Sequence, residues 1–331
     1  MKKRYACLSA ILVVAFAFGS TAFAGDAPAE DTSAPTAWGH FETPFQDKMW
    51  EAMSDEASRE GETILKLAES PPSQPAQPQG SLEELAKKTQ NPISDLISVP
   101  FQSNFNFYDI HTHVGGRDFD RNTMGYLLNI QPIVPFTLNE DWNLVTRTII
   151  PVINQPEIFP GVGSHGGLGD IQFTAFFGPS KPSKFVWAAG PVFLFPTATD
   201  DALGSGKWSA GPSAVAVWME GPWVIGVLTQ NVWSYAGDSD RNEVNQMLIQ
   251  PFVNYNLPKG WYVATSPMIT ADWHAASDER WTVPLGAAVG KLFRLGRLPI
   301  NASLGAYYNV EHPTFAPTWS IRFQIQFLLP K

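Results

Sequence analysis

Cysteine is almost missing from this sequence, and charged residues are scarce. The one cysteine among 331 residues is Cys7, near the start of the chain. Charged residues make up 16% of the chain, below the roughly 25% usual in soluble domains. A disulfide-stapled fold and a cysteine zinc site are therefore excluded. The net charge is −9 and lysine and arginine form no block beyond residues 2–4, which argues against a nucleic-acid partner.

Long apolar runs are also lacking, since none reaches the ~20 residues of a membrane-spanning helix. The apolar stretch at residues 6–19 follows the basic residues 2–4 and precedes the small-residue pattern at 22–24. This order is typical of a secretory signal peptide, and we expect cleavage after Ala24. Cleavage removes Cys7 and three positive charges, so the net charge falls from −9 to −12. The mature chain is then expected in an exported compartment, without any thiol.

The segment at residues 25–95 has the composition of a linker. It is rich in proline, serine, alanine, glutamate and glutamine, and its run PPSQPAQPQG predicts a flexible or polyproline conformation. Residues 45–68 have weak helical periodicity. Ser81 and Glu84 form a capping box for a short helix over SLEELAKKTQ, which Asn91-Pro92 ends. Two interpretations stay open: a mobile periplasmic tail, or a plug or partner-binding helix.

From residue 96 to residue 331 the sequence alternates with a period of two, which predicts β-strands. At 319–327 every second residue is apolar, and the residues between are serine, arginine and glutamine. In most strands the polar face carries amides rather than the charges usual on a soluble sheet. Most runs have the length that crosses a bilayer as a tilted barrel strand. About twelve strands are predicted, at 97–108, 125–136, 141–153, 169–178, 184–196, 207–219, 222–235, 244–257, 260–270, 280–293, 298–309 and 318–329.

The links between these strands alternate in length, as in outer-membrane barrels. Long acidic links such as HTHVGGRDFDRNT and GDSDRN alternate with short ones such as LNE and LPKG. Tryptophans near strand ends suit a membrane interface, although a core location is the alternative. They are Trp142, Trp208, Trp218, Trp223, Trp233, Trp261, Trp273, Trp281 and Trp319. Prolines inside the predicted strands should produce bulges, because each lacks a ladder donor; they are Pro132, Pro151, Pro191, Pro212, Pro251 and Pro284.

A family resemblance supports the barrel interpretation. The stretches NPISDLISVPFQSNFNF, LNIQPIVPFTLNEDWNLVTRTIIPVI, GLGDI, GPVFLFPTATDDALGSGKW and FLLPK resemble the outer-membrane barrel family named for the MetA pathway of phenol degradation, over about residues 91–331. The resemblance implies solute transport with no catalytic residues, and the family name suggests aromatic or hydrophobic solutes. The ending FLLPK departs from the common terminal aromatic, so Phe327 is the expected aromatic of the signal for the outer-membrane assembly machinery.

Three loop clusters hold residues that could carry chemistry. They are His274 with Asp272 and Ser277, His165 with Ser164, and His111 and His113 with Asp118 or Asp120 as zinc ligands. The run GVGSHGGLGD at 161–170 resembles a phosphate loop only in its glycines, because it lacks lysine and a following helix. Solvated loop residues explain all of these equally well. We therefore predict no enzyme, no cofactor and no metal site.

The polar face of the strands is the candidate functional surface. If the aromatic face meets lipid, these side chains point into the lumen: Gln102, Asn104, Asn106, Asn129, Gln131, Asn143, Arg147, Gln172, Gln246, Gln250, Asn254, Asn301, Arg322, Gln324 and Gln326. Amides create no strong field of one sign, so weak charge selectivity is expected. We expect the two arginines to pair with a carboxylate such as Asp170 or to stand in water.

The predicted fold class is all-β, a transmembrane antiparallel barrel of about twelve strands in the outer membrane of a Gram-negative bacterium. The predicted function is passive passage of small solutes, with lipid and the assembly machinery as partners. Twelve strands lie between filled eight-stranded barrels and open sixteen-stranded ones. A structural or adhesion barrel with a filled lumen is therefore the alternative function, and a soluble periplasmic sandwich the alternative fold. Oligomeric state is not predicted.

Overall fold

A computed structural model describes residues 82–329, except 115, 116, 160, 162 and 182. The expected signal peptide and most of the segment at 25–95 lie outside the described residues. Within the described part of the chain, no helix is both long and apolar enough to span a bilayer.

One α-helix, α1 (Leu82–Gln90), precedes fifteen strand segments in the described range. The helix begins one residue after the predicted cap and ends before Asn91, which confirms the short helix predicted here. The strand segments are β1 (Ile97–Val114), β2 (Arg117–Ile130), β3 (Ile133–Thr137), β4 (Trp142–Gln155), β5 (His165–Leu168), β6 (Ile171–Pro179), β7 (Phe185–Phe195), β8 (Lys207–Glu220), β9 (Trp223–Gly237), β10 (Asn245–Asn256), β11 (Trp261–Thr265), β12 (Ile269–Asp272), β13 (Trp281–Leu295), β14 (Leu298–Glu311) and β15 (Trp319–Leu329).

The strands close into a barrel because the first pairs with the last. β1 lies antiparallel to β15 from Ile97 opposite Leu329 to Phe107 opposite Trp319. Three barrel strands are interrupted: β2 with β3, β5 with β6, and β11 with β12, each pair sharing a neighbour in the sheet. The fifteen segments of the described residues therefore form a closed antiparallel barrel of twelve strands, which confirms the predicted fold class.

Prolines lie at the interruptions and irregularities of the sheet. Pro132 occupies the gap between β2 and β3, and the register of β13 against β14 shifts between Val283 and Pro284. Pro191 and Pro212 are directly opposite each other in β7 and β8, so two missing donors coincide at one position of the ladder. The expected irregularities are confirmed at Pro132 and Pro284, whereas the register between β7 and β8 continues without a shift through Pro191 and Pro212.

The first long link was wrongly predicted as a loop. β1 continues to Val114 and β2 begins at Arg117. In this hairpin His111 Nδ1 lies 2.8 Å from an Asp120 carboxylate oxygen, and His113 Nδ1 lies 2.9 Å from one of Asp118. These hydrogen-bonded side chains lie directly across the ladder from each other, and such cross-strand pairs support strand pairing, whereas composition alone had suggested a loop. Similarly, part of the glycine-rich run predicted as a loop forms β5, which gains its backbone partners from β4.

The two faces of the barrel wall differ in the way the alternation predicts. Eight of the nine tryptophans are at least 38% exposed, and Trp281 is half-buried, so the core alternative is wrong for these eight. They occupy strand ends at both rims. The short-turn rim has Trp142, Trp218, Trp223 and Trp261, and the long-loop rim has Trp208, Trp233, Trp273 and Trp319. Large apolar side chains therefore face outward around the described barrel.

One side of the barrel interior is packed with apolar side chains. This apolar cluster is contributed by β4 and by β6 to β10, and it consists of Val145, Phe176, Ala188, Val215, Val217, Val224, Leu228 and Phe252. Phe176, Val217 and Val224 are at most 1% exposed. Ile93, which follows α1, packs against the same cluster. Part of the lumen is therefore a hydrophobic core, and the rest of the lumen determines what the barrel can hold.

Candidate solute site inside the barrel

Beside the apolar cluster, the interior contains a polar cavity of about 200 Å³. Its wall combines residues from β1, β3, β4, β9 to β11 and β13 to β15 with residues before β1. Nine of the fifteen predicted lumen residues line it: Gln102, Gln131, Arg147, Gln250, Asn254, Asn301, Arg322, Gln324 and Gln326. These nine side chains supply most of the amide and guanidinium groups in the lining. Apolar lining side chains were not predicted, and they include Ile133, Leu228 and Phe252.

The other six predicted residues lie on the inner face but outside this cavity lining. Pairing places Asn104 and Asn106 opposite Arg322 and Ser320, Asn129 opposite Gln102, and Asn143 opposite Gly178. Gln172 accepts a 2.9 Å hydrogen bond from Gln230. Gln246 lies 3.4 Å from an Asp272 oxygen. These side chains extend the polar surface along the barrel wall.

Two arginines are joined by an unbroken row of side-chain hydrogen bonds, which we call the amide chain. Arg147 donates to Gln131 Oε1 at 2.6 Å, and Gln131 Nε2 donates to Gln102 Oε1 at 2.6 Å. Gln102 Nε2 donates to Asn104 Oδ1 at 3.4 Å, and Arg322 Nε donates to the same oxygen at 3.2 Å. Guanidinium groups only donate, so they orient the amide oxygens at both ends of the chain. The amide chain crosses four neighbouring strands of the wall.

Arg322 has further contacts that hold it against the wall. Its Nη1 donates to the Ser266 carbonyl oxygen at 3.0 Å, and its guanidinium carbon lies 4.4 Å from the centre of the Tyr307 ring. Such stacking is a favourable cation–π geometry. Tyr307 also lines the cavity, at an inward position that strand alternation could have identified. Arg322 is therefore oriented by one amide, one carbonyl and one ring.

The expectation that a carboxylate such as Asp170 pairs with these arginines was wrong. Within the described residues, neither Arg147 nor Arg322 forms an ion pair. Asp170 instead accepts hydrogen bonds from the backbone N–H of Ala198 at 3.2 Å and of Ser205 at 2.7 Å. Asp170 follows an interrupted strand, where it ties down the loop between β7 and β8. Its role in the barrel is therefore to hold a loop, away from the arginines.

A second row of hydrogen bonds runs along the opposite part of the polar wall. Tyr262 Oη donates to Asn301 Oδ1 at 3.0 Å, and Asn301 Nδ2 donates to Gln326 Oε1 at 3.3 Å. Gln326 Nε2 donates in turn to Ser98 Oγ at 3.1 Å. Tyr262 lies in the predicted strand 260–270, but it was not among the predicted lumen residues because these were only amides and arginines. Buried amides are thus paired with one another and presented as an ordered surface.

Helix α1 lies across the short-turn end of the cavity. Gln90 and Asn256 exchange two side-chain hydrogen bonds, at 2.9 and 3.0 Å. Ala86 is 2% exposed and packs with Leu292 and Leu328, which point inward at the same end. Thr89, Gln90 and Pro92 are part of the cavity lining. The middle of α1 and the residues at its C-terminal end therefore contact the barrel interior directly.

The predicted loop clusters are arranged differently from what their spacing suggested. His165 Nδ1 lies 3.0 Å from Asp200 Oδ2, a residue outside the predicted pair with Ser164. Its hydrogen bond, with help from the Ala202 backbone N–H, holds the pKa of Asp200 below its ordinary range. The His274 backbone N–H, rather than its ring, donates to Asp272. Among the residues that the structure describes, no three His, Cys, Asp or Glu side chains cluster as metal ligands.

No family model matches the sequence, and no curated protein matches it. Among solved structures, the chain resembles an outer-membrane channel from Pseudomonas putida F1, with a TM-score of 0.54 and 16% identity over 71% of this chain and 94% of that one. The NanC porin matches with a TM-score of 0.44 and 9% identity, over 71% of this chain and 100% of that one. The CymD monoaromatic hydrocarbon channel matches with a TM-score of 0.41 and 8% identity, over 78% of this chain and 95% of that one.

The likeness to the Pseudomonas channel defines the class of fold. At 16% identity the likeness to the Pseudomonas channel extends to architecture, and the architecture is that of an outer-membrane β-barrel. Within that class, this chain is a twelve-stranded barrel with the apolar cluster on one side of its interior, the amide chain ending in two arginines, and a helix across its short-turn end.

Proposed function

We propose that this protein is an outer-membrane channel for passive passage of small solutes, with residues 96–331 as the barrel and with helix α1, at the end of the segment 25–95, closing it. The observation that carries the proposal is the polar cavity inside the barrel, with α1 across its short-turn end. The outward aromatic rims suit lipid on both sides of a bilayer. Phe327, which contacts Phe101 at 5.9 Å between ring centres, is the aromatic offered to the assembly machinery.

The mechanism is diffusion along one wall. A solute exchanges water hydrogen bonds for those of the lumen amides Gln250 and Gln324, while an apolar part lies against Phe252. Apolar lining favours solutes with a hydrophobic or aromatic portion. Opening at the short-turn end requires α1 to undock from the barrel wall, because Gln90 and Pro92 are part of the cavity wall.

The test is single-channel conductance of the refolded full chain in planar bilayers, repeated with residues 25–90 deleted. Conductance steps that occur only after deletion would support a channel closed by this segment. Steps of equal size in both proteins would support an open channel and would contradict the closing role. Insertion is checked independently by heat-modifiable migration in gels. Silence in both inserted proteins would refute a passive channel.

A structural barrel is the second candidate, because the apolar cluster fills part of the interior. In this case the loops at the long-loop rim carry the function. Asp170 holds one of these loops in place, and the His165–Asp200 pair holds it to β5. Silent but correctly inserted protein, with or without residues 25–90, is the result that would favour this candidate.

A further inference from the structure

We propose that the cavity is a binding site for a small organic carboxylate, held between Arg147 and Arg322. This proposal rests on the proposed channel function and names the class of solute. It also changes the expectation of weak charge selectivity. The cavity lining has two arginines and no aspartate, glutamate, lysine or histidine. The cavity therefore carries an excess of positive charge in a protein whose net charge is −9.

Both guanidinium groups have unused capacity for an anion. A guanidinium carries five N–H donors. Arg147 donates one side-chain bond, to Gln131, and its Nε is buried without a partner. A charge inside a protein is costly unless it is paired and hydrogen-bonded. An incoming carboxylate relieves this cost, because its two oxygens match the planar donor fork of arginine.

The remaining wall selects among anions. The amide chain leaves Gln102, Gln131 and Asn104 bonded to one another and to the arginines, so these groups gain little from a new acceptor. Ile133, Leu228 and Phe252 line the same cavity and offer no hydrogen bonds. Inorganic phosphate would place charged oxygens against these side chains. A monocarboxylate with a hydrophobic body places its charge on arginine and its carbon atoms on the apolar wall.

The experiment is isothermal titration of the full chain, refolded in detergent, with benzoate and with the uncharged analogue benzyl alcohol. Benzoate should bind at least about tenfold more tightly, since hydrogen bonds to charged groups contribute about 1.5–3 kcal/mol. The double variant Arg147→Gln/Arg322→Gln should lose this preference. Lys181→Gln is the matched control, because Lys181 is an exposed cation at a short turn, paired with Asp141 at 2.8 Å. This control should bind benzoate as the original chain does.

Each outcome bears on the proposal. Equal affinity for benzoate and benzyl alcohol in the original chain would overturn it, and this comparison needs no variant to fold. A preference that persists in the correctly folded double variant would also overturn it. Arg322→Lys, which keeps the charge and loses the fork, should bind benzoate with intermediate affinity. Benzoate binding by a chain that never conducts would refute the channel function and support the carboxylate site. Conductance without any preference for benzoate would support the channel function and refute the carboxylate site.

Discussion

Ala86→Glu should release helix α1 from the barrel. Ala86 is 2% exposed against Leu292 and Leu328, and an unpaired carboxylate buried there costs several kcal/mol. When α1 undocks from the barrel, Leu85 loses its partial burial, which costs roughly 1–2 kcal/mol. Undocking also costs the two amide bonds between Gln90 and Asn256, each about 0.5–1.5 kcal/mol. The cost of burying the carboxylate is similar to the total cost of undocking the helix. The substitution therefore removes most of the preference for the docked helix.

The expected effect is a large increase in the undocked population. A loss of about 2 kcal/mol raises the ratio of undocked to docked helix roughly 30-fold. Hydrogen exchange of the α1 amides should accelerate accordingly, and channel openings in planar bilayers should become more frequent. Lys88→Ala is the control, because it changes the charge by the same amount at an exposed position of the same helix. The pair that Lys88 forms with Asp95 is solvent-exposed, so its loss should matter little.

If the α1 amides exchange as slowly in Ala86→Glu as in the original chain, burial of Ala86 does not hold the helix against the barrel. Faster exchange without more frequent openings would support the docking of α1 on the barrel but contradict its role in closing the channel. An equal effect of Lys88→Ala would show that charge, rather than burial at Ala86, determines docking.

Three further predictions concern the long-loop rim, the amide chain and the sheet. Because its hydrogen bonds lower the pKa of Asp200, the contact with His165 should be stable above the ordinary aspartate pKa and be lost as pH falls through the lowered value; the Ala202 amide resonance should report that midpoint, and a midpoint at the ordinary value would contradict this. Gln131→Leu leaves a guanidinium without its acceptor and should lower the free energy of unfolding in detergent by about 1–3 kcal/mol, measured with denaturant; no change would show that water replaces the amide. Gly211→Ala places a methyl group against a backbone carbonyl of the next strand and should reduce stability by about 1–3 kcal/mol in the same assay, whereas equal stability would mean that the strands separate freely.

Strand positions were predictable because alternation is a local property. The face of Arg322 follows from its neighbours in β15, and the face of Asn104 follows from β1. Their hydrogen bond does not follow from either pattern, because the register between the first and last strands depends on closure of the whole barrel. Sequence therefore identified the polar face without identifying which polar groups meet.

The sequence analysis failed where tertiary pairing outweighed composition. His113 and Asp118 have the composition of a solvated loop, yet they sit opposite each other in a hairpin. Asp170 was assigned to an arginine because both were expected inside the barrel, while its neighbouring loop offered closer backbone donors. The docking position of α1 had no signal in the local sequence, because Ala86 contacts Leu292 and Leu328 only after the barrel forms.

The seam between β1 and β15 also determines when the polar wall comes into existence. Arg322 and Asn104 are 218 residues apart, and they meet only when the last strand to be synthesised pairs with the first. An unfinished barrel therefore has one loose arginine and an incomplete row of amides. Sealing the seam and assembling the site are a single event, so a chain that has not closed in the membrane has no organised place for a solute.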